Sequence, residues 1–158
     1  MMNKAELREA LDQARGYLNR VLDQVGDRWE MPVYSDGLQW TARQIAAHLA
    51  DADRGHNAQV MNIAEGRDII PPDFDVQRYN ARTTEKSVEK TADQSRAELE
   101  ASRAALITWL DALDDDKLTR EGRHASLQIM PVWKILRIMA LHERGHAQDI
   151  ARVLEIKA

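Results

Sequence analysis

Hydrophobic residues recur every three or four positions along four separate stretches of the chain, which predicts four amphipathic helices. The seven glycines and four prolines fall mostly between these stretches. The inward stripes of the first two helices are Leu7, Leu11, Ala14, Leu18, Val21, Leu22 and Val25, and then Ile45, His48, Leu49, Ala52, His56, Val60 and Ile63. Those of the third and fourth are Ser95, Leu99, Ser102, Leu106, Trp109, Leu110 and Leu113, and then Val132, Ile135, Met139, His142, His146, Ile150 and Val153.

Local signals mark where these helices begin and what lies between them. Segments 41–44 and 91–94 each carry a Thr-x-x-Gln capping box, which predicts a helix N-terminus. Segment 29–40 contains a proline and an Asp-Gly turn signal, so we expect a loop there. The polar segment 75–90 predicts a short connecting helix. The pattern therefore predicts an all-α fold, a four-helix bundle with a short helix between the second and third long helices.

Composition limits what such a bundle can do. The 158 residues suit one domain spanning 1–158, and the absence of cysteine excludes disulfides, thiolate metal sites and a cysteine nucleophile. The net charge of −4 argues against a nucleic-acid partner, which would call for a basic surface. No apolar run is long enough to span a membrane. The polar N-terminal segment lacks a signal-peptide pattern, so we expect a cytoplasmic protein.

Three histidines fall on the inward stripes of the bundle. His142 and His146 are four residues apart and therefore share one helical face, while His48 lies on the inward face of the second helix. Buried imidazoles need partners, and one divalent metal ion would satisfy all three. Three protein ligands with an open position are typical of catalytic sites. The alternative is that they are core histidines bonded to the backbone or to inward hydroxyls.

The remaining ionisable residues near these stripes suggest other interpretations. Glu143 and His146 have the Glu-x-x-His spacing of di-iron bundles, and Asp53 and His56 loosely repeat it. The inward stripes of the first and third helices provide only Leu, Ala, Val, Ser and one Trp, so bridging carboxylates are missing. We therefore predict that no di-iron site is present. Glu143 is adjacent to His142 and points about 100° away from it on the helix, so we expect a salt-bridge residue rather than a ligand.

Two further histidines are predicted to stand apart from any metal. His56 lies about 12 Å along the helix axis from His48, at 1.5 Å per residue. That separation is too large for a shared ion, so His56 is expected to be a polar lining residue. His124 falls in a loop and is expected to be exposed.

Two segments resemble the DinB/YfiT-like family: residues 40–51, WTARQIAAHLAD, and residues 142–150, HERGHAQDI. The similarity extends over nearly the whole chain and includes residues 78–81 and the link 113–118. The resemblance implies a four-helix bundle with one metal ligand on the second long helix and two on the fourth. Carried onto this sequence, those ligands are His48, His142 and His146. Zinc or nickel is the expected ion.

The resemblance also implies a reaction class, because several members of the family are thiol-dependent transferases or isomerases. A metal ion can deprotonate a low-molecular-weight thiol, and the thiol would come from a cosubstrate. The expected function is therefore S-transfer to an electrophilic small molecule. Hydrolysis through a metal-activated water, or a non-catalytic metal-stabilised binding or stress-response module, remain alternatives.

Three residues near the expected site are weak candidates for catalysis or substrate contact. Asp51 lies one turn after His48 and could orient an imidazole, although a solvated role on the helix surface is favoured. Tyr79 and Asn80 are expected where the connecting segment approaches the mouth of the bundle. An apolar face left uncovered by short loops could support a homodimer.

Overall fold

Four long helices pack as a bundle, and a shorter helix joins the second to the third of them. The computed structural model describes residues 1–86 and 88–158. The helices are α1 Lys4–Leu22, α2 Ala42–Ala64, α3 Val76–Lys86, α4 Ala92–Ala112 and α5 Val132–Val153. Between them lie the strands β1 Pro32–Ser35, β2 Leu38–Thr41, β3 Glu121–Arg123 and β4 Ile129–Pro131, and a 3₁₀ helix at Asp115–Thr119.

The four-helix bundle and its connecting helix are confirmed. The main contacts pair α1 with α5 and α2 with both α4 and α5. The capping boxes at Thr41 and Thr91 both form, so each threonine accepts from the backbone N–H three residues on. Part of the connecting segment, Ser87, lies outside the described residues. In the described part of the chain, no helix combines the length and apolar composition that a membrane crossing requires.

The segment predicted as a loop at 29–40 instead forms an antiparallel hairpin of β1 and β2. Its turn is the Asp36-Gly37 pair, whose φ angles are +50° and +75°. Positive φ at both central residues gives the turn a twist that suits adjacent strands. Val33 and Trp40 face each other across the hairpin and are both buried in the core. Strands of four residues are too short to show a clear alternation in the sequence.

Charged residues lie at the centre of the bundle. The inward stripes predicted for the first and third helices contain no charged residue. Arg15 on α1 bonds through its guanidinium to Glu143 Oε2 at 2.8 Å and to Asp53 Oδ2 at 2.7 Å. Arg103 on α4 donates to the same Glu143 oxygen at 2.9 Å. All four side chains are at most 7% exposed. The salt-bridge role predicted for Glu143 is confirmed.

This buried charge cluster is neutral as a set, with two guanidiniums facing two carboxylates. Burial acts to lower the pKa of Arg15, but its hydrogen bond to Glu143 and the two carboxylate charges raise it overall. The inward carboxylates Asp53 and Glu143 are therefore taken up by arginines. In the described residues, the only group of metal-ligating side chains close enough to share an ion excludes both carboxylates.

A second hairpin, β3–β4, packs against α2 through Gly122. A Cβ atom at this glycine would lie 2.4 Å from Ile63 Cγ1 and 2.7 Å from its Cδ1. Ile63 is only 1% exposed, so it packs within the core. The absence of a side chain at position 122 thus lets the hairpin approach the helix, and the hairpin in turn carries His124.

We expect the Glu143→Gln substitution to lower the free energy of unfolding by about 3–5 kcal/mol, because it leaves two buried arginines with one carboxylate. Denaturant unfolding of chelator-treated protein would measure this without any contribution from a bound ion. The matched control is Glu100→Gln, because Glu100 lies 3.6 Å from the same Arg15 but is 58% exposed. That change should cost less than about 1 kcal/mol. Equal losses in the two variants would contradict the argument.

We expect Gly122→Ala to lower the free energy of unfolding by about 1–3 kcal/mol through overpacking against Ile63. Thermal or denaturant unfolding would measure the loss. Gly145→Ala is the matched control, because a Cβ at this helical glycine would meet nothing within 4 Å. Replacing a helical glycine by alanine should stabilise the protein by about 0.5–1 kcal/mol. A neutral Gly122→Ala variant would show that the hairpin shifts freely.

Candidate metal centre

The three histidines predicted as ligands converge between α2 and α5. His142 Nε2 lies 3.3 Å from His48 Nε2 and 3.0 Å from His146 Nε2. Asp36, at the turn of the β1–β2 hairpin, adds a carboxylate oxygen 2.9 Å from His146 Nε2 and 3.7 Å from His142 Nε2. All four donor atoms lie within 4.8 Å of one another. We call this set the ligand cluster.

The spacing of the ligand cluster suits a divalent ion. Four ligands at 2.0–2.1 Å from a tetrahedral zinc ion are separated from each other by about 3.3 Å. Four of the six donor separations in the cluster lie near that value, from 2.9 to 3.7 Å, and none exceeds 4.8 Å. The donor set of imidazoles and one carboxylate is also one that zinc and nickel accept. The residues therefore fit the ion that the sequence predicts.

A hydrogen-bond chain fixes the tautomer of His146. The Ser35 hydroxyl donates to Asp149 Oδ2 at 3.0 Å, so its oxygen is left to accept from His146 Nδ1. The proton on His146 therefore resides on Nδ1, and Nε2 presents a lone pair to the cluster. Hydrogen bonds of this kind commonly orient metal-binding histidines.

Trp40 closes the cluster on the side of the core. Its ring centroid lies 4.7 Å from that of His48 and 6.2 Å from that of His146. Burial, together with the neighbouring His142 and His146, lowers the pKa of His48 to about 3. His48 is therefore neutral at physiological pH, which is the state that binds a metal ion.

Asp36 belongs to the ligand cluster, although the sequence pattern predicts only that it is a turn residue. The nearby imidazoles of His142 and His146 hold the pKa of the carboxyl well below its usual range. Unlike the buried His146, its side chain is 54% exposed. Asp36 thus brings a full negative charge from an exposed turn to the fourth corner of the cluster.

A cavity of about 400 Å³ opens beside the ligand cluster. Asp36, His48 and His142 belong to both, so one face of the cluster forms part of the cavity wall. Apolar side chains line most of the remaining wall: Ala52, Ala58, Ile69, Ile70, Phe74, Val76, Ala125 and Ile138. An ion held by the cluster would therefore face a space of small-molecule size.

The structure separates the three weaker site candidates. Tyr79 and Asn80, on α3, both line the cavity. Asp51 forms an ion pair with Arg54 and belongs to neither the ligand cluster nor the cavity wall. The Asp51 side chain is only 15% exposed, so it is less solvated than a helix-surface residue.

The two remaining histidines meet in the cavity wall, and the prediction that His124 is exposed is wrong. His124 is only 9% exposed and stacks on His56, with ring centroids 5.6 Å apart and planes within 4° of parallel. The β3–β4 hairpin folds onto α2, so the segment interpreted as a loop becomes buried. His56 lines the cavity as expected.

Some of the missed residues carried a sequence signal and others did not. Arg15 falls four residues after Leu11 and three before Leu18, and Arg103 falls likewise between Leu99 and Leu106. An arginine at such an inward position could have indicated a buried ion pair. Ser35 carried no comparable signal, because its role depends on a partner 111 residues away.

Solved structures with the same fold include metal-dependent and thiol-dependent proteins. YfiT from Bacillus subtilis, described as "a probable metal-dependent hydrolase", is 21% identical, with 98% of this chain and 89% of that chain covered and a TM-score of 0.78. A mycothiol-dependent maleylpyruvate isomerase is 19% identical, with 95% and 63% covered and a TM-score of 0.70. This chain thus spans less than two thirds of the isomerase.

A third structure has a different described partner. The colibactin self-resistance protein ClbS, solved in complex with a dsDNA, is 14% identical, with 100% of this chain and 99% of that chain covered and a TM-score of 0.73. At these identities the likenesses establish the fold alone. No curated protein sequence matches the chain.

A match between the sequence and a family profile identifies the family. The profile of the DinB superfamily matches residues 10–150, which contain α2, α3, α4, both hairpins and most of α1 and α5. All four members of the ligand cluster lie within the matched range. The chain belongs to the DinB superfamily.

Proposed function

We propose that this protein holds one zinc or nickel ion through His48, His142 and His146 and activates a low-molecular-weight thiol for attack on an electrophilic small molecule. The observation that carries this proposal is the shared wall between the ligand cluster and the cavity. Donors for the ion and space for a substrate are adjacent in one site, so chemistry at the ion could reach a molecule bound beside it.

The protein's own residues would supply the setting for the reaction. An ion in the cluster would lower the pKa of a thiol that approaches it, so that a thiolate forms near neutral pH. The chain has no cysteine, so the thiol must be a cosubstrate. The apolar wall would exclude water from the electrophile, and Tyr79 and Asn80 offer polar contacts to it.

The solved structures and the charge of the chain support this choice of partner. One similar protein is described as mycothiol-dependent, which is the kind of cosubstrate proposed here. The complex of ClbS with dsDNA raises nucleic acid as an alternative partner. The net charge of −4 favours a small molecule over a polyanion.

A second candidate function is a metal-stabilised module without turnover, and Asp36 is the observation that favours it. With Asp36 included, the cluster offers four protein donors, which is typical of closed structural zinc sites. The exposure of Asp36 on a two-residue turn instead favours thiol activation, because a thiol could displace an exposed carboxylate. Water entering at the same position would give hydrolysis, as the description of YfiT suggests.

We expect purified, tag-free protein to contain about one divalent ion per chain by elemental mass spectrometry, and His48→Ala and His142→Ala to lose it. Each substitution removes one of three imidazole donors. His56→Ala is the matched control, because His56 lies outside the ligand cluster and should leave the metal content unchanged. Metal-free wild type that also resists loading with zinc, nickel or cobalt would overturn the proposal.

We expect 2-mercaptoethanol to change the visible spectrum of the cobalt-substituted protein, whereas ethylene glycol at the same concentration does not. Asp36→Ala should respond at several-fold lower thiol concentration, because the competing carboxylate is gone. A spectrum that responds to thiol only in Asp36→Ala would identify a closed site and support the module without turnover. A silent spectrum in both proteins would rule out thiol activation.

A further inference from the structure

The cavity beside the ligand cluster extends along one face of α2. Four residues of that face line it, at spacings of four, three and four positions: His48, Ala52, Gly55 and Gln59. At 1.5 Å per residue this wall is about 16 Å long and begins at the ligand His48. Tyr79 on α3 approaches the middle of it, with its hydroxyl 3.6 Å from where a Cβ of Gly55 would lie. A molecule that reacts at the cluster would therefore have its body beside Ala52 and Gly55.

The charges of the wall restrict what that body can be. In the described part of the chain, no lysine or arginine lines the cavity, and Asp36 is the only aspartate or glutamate that does. Burial lowers the pKa of both His56 and His124, so these two rings in the wall are neutral at physiological pH. An anionic group that enters the cavity would lose water without gaining an opposite charge from these side chains, which is costly.

A divalent ion in the ligand cluster would not supply the missing positive charge. Its two charges would be balanced by the Asp36 carboxylate, 2.9 Å from His146 Nε2, and by the thiolate of the proposed reaction. No net charge would then remain for a second anion. The electrophile must therefore be recognised by the rest of the wall.

That part of the wall presents accessible apolar surface. Ile69 and Val76 line the cavity and are 45% and 42% exposed, so a bound molecule can cover them. Phe74 and Tyr79 line it as well, with ring centroids 5.7 Å apart. Covering such surface with a hydrocarbon or an aromatic ring is favourable, because both sides leave water.

We propose that the electrophile is an uncharged, largely apolar molecule, which reacts at the ligand cluster and lies along α2 against Ile69, Phe74 and Val76, and that anionic electrophiles are excluded. The inference rests on the proposed function in giving the bound molecule the role of electrophile. Its recognition depends on side chains alone, so it can be measured without an ion.

NMR titration of chelator-treated protein tests this recognition with three unreactive probes: 1,3-dinitrobenzene, 3,5-dinitrobenzamide and 3,5-dinitrobenzoate. The amide and the carboxylate are alike in size, and the carboxylate should bind at least about tenfold more weakly because its charge is uncompensated. Dinitrobenzene should bind at least as tightly as the amide. Carboxylate binding as tight as that of the amide, an amide that binds more tightly than dinitrobenzene, or no binding of any probe would each overturn the inference.

Two lysine variants test whether the cavity itself discriminates. Ile69→Lys adds a cation to the wall, whereas Ile129→Lys, the matched control, adds it at a 55% exposed position that does not line the cavity. Ile69→Lys should tighten carboxylate binding relative to amide binding by about 2–5-fold, the value of a partly exposed ion pair. Ile129→Lys should leave the ratio unchanged. Equal shifts in the two variants, or no shift in Ile69→Lys, would overturn the proposal.

Turnover of the metal-loaded protein separates the inference from the proposed function. With 2-mercaptoethanol, 1-chloro-2,4-dinitrobenzene forms a carbon–sulfur bond and releases chloride, and the thiol proton passes to the buffer. Its acceleration over the uncatalysed rate should exceed that of 4-chloro-3,5-dinitrobenzoate by about tenfold, as in binding. Charge-selective binding without turnover of either substrate would refute thiol activation and still support the uncharged ligand. Equal acceleration of the two substrates would support thiol activation and overturn the inference.

Discussion

The fold depends on a buried set of opposite charges that joins all four long helices. Arg15 on α1 and Arg103 on α4 enclose Glu143 on α5, and Arg15 also binds Asp53 on α2. Charges without these partners would be costly to bury, so arrangements of the helices that separate them are disfavoured. Glu143 directly follows the ligand candidate His142. The charge cluster therefore also sets where α5 presents its histidines.

The β1–β2 hairpin makes the two sides of the ligand cluster different. Val33 and Trp40 anchor the strands in the core, which places Ser35 against His146 and Asp36 at the fourth corner of the ligand cluster. One side of the cluster is thus closed by an aromatic ring and a fixed hydrogen bond. The other side ends in an exposed carboxylate beside the cavity, and ligand exchange is easiest there.

The sequence could predict much of the candidate site but not its surroundings. His142 and His146 share a helical face because they are four residues apart. His48 lies among hydrophobic residues spaced three or four positions apart, which form one face of a helix. The exposed position predicted for His124 was wrong because burial of a loop depends on the element that folds over it. The sequence predicts only the turn at Asp36, because the turn depends on neighbouring residues whereas the contacts of Asp36 are with the distant His142 and His146.

The sequence by itself therefore determined the features set by neighbouring residues: the helices, their caps, the inward faces and the three histidines that lie on those faces. Tertiary structure alone decided which distant groups meet, namely Ser35 with His146, Arg15 with Glu143, and the β3–β4 hairpin with α2. Helical periodicity repeats within a few residues and is visible in any window of the chain. Pairings between residues more than 100 positions apart arise only when the packed helices bring them within bonding distance.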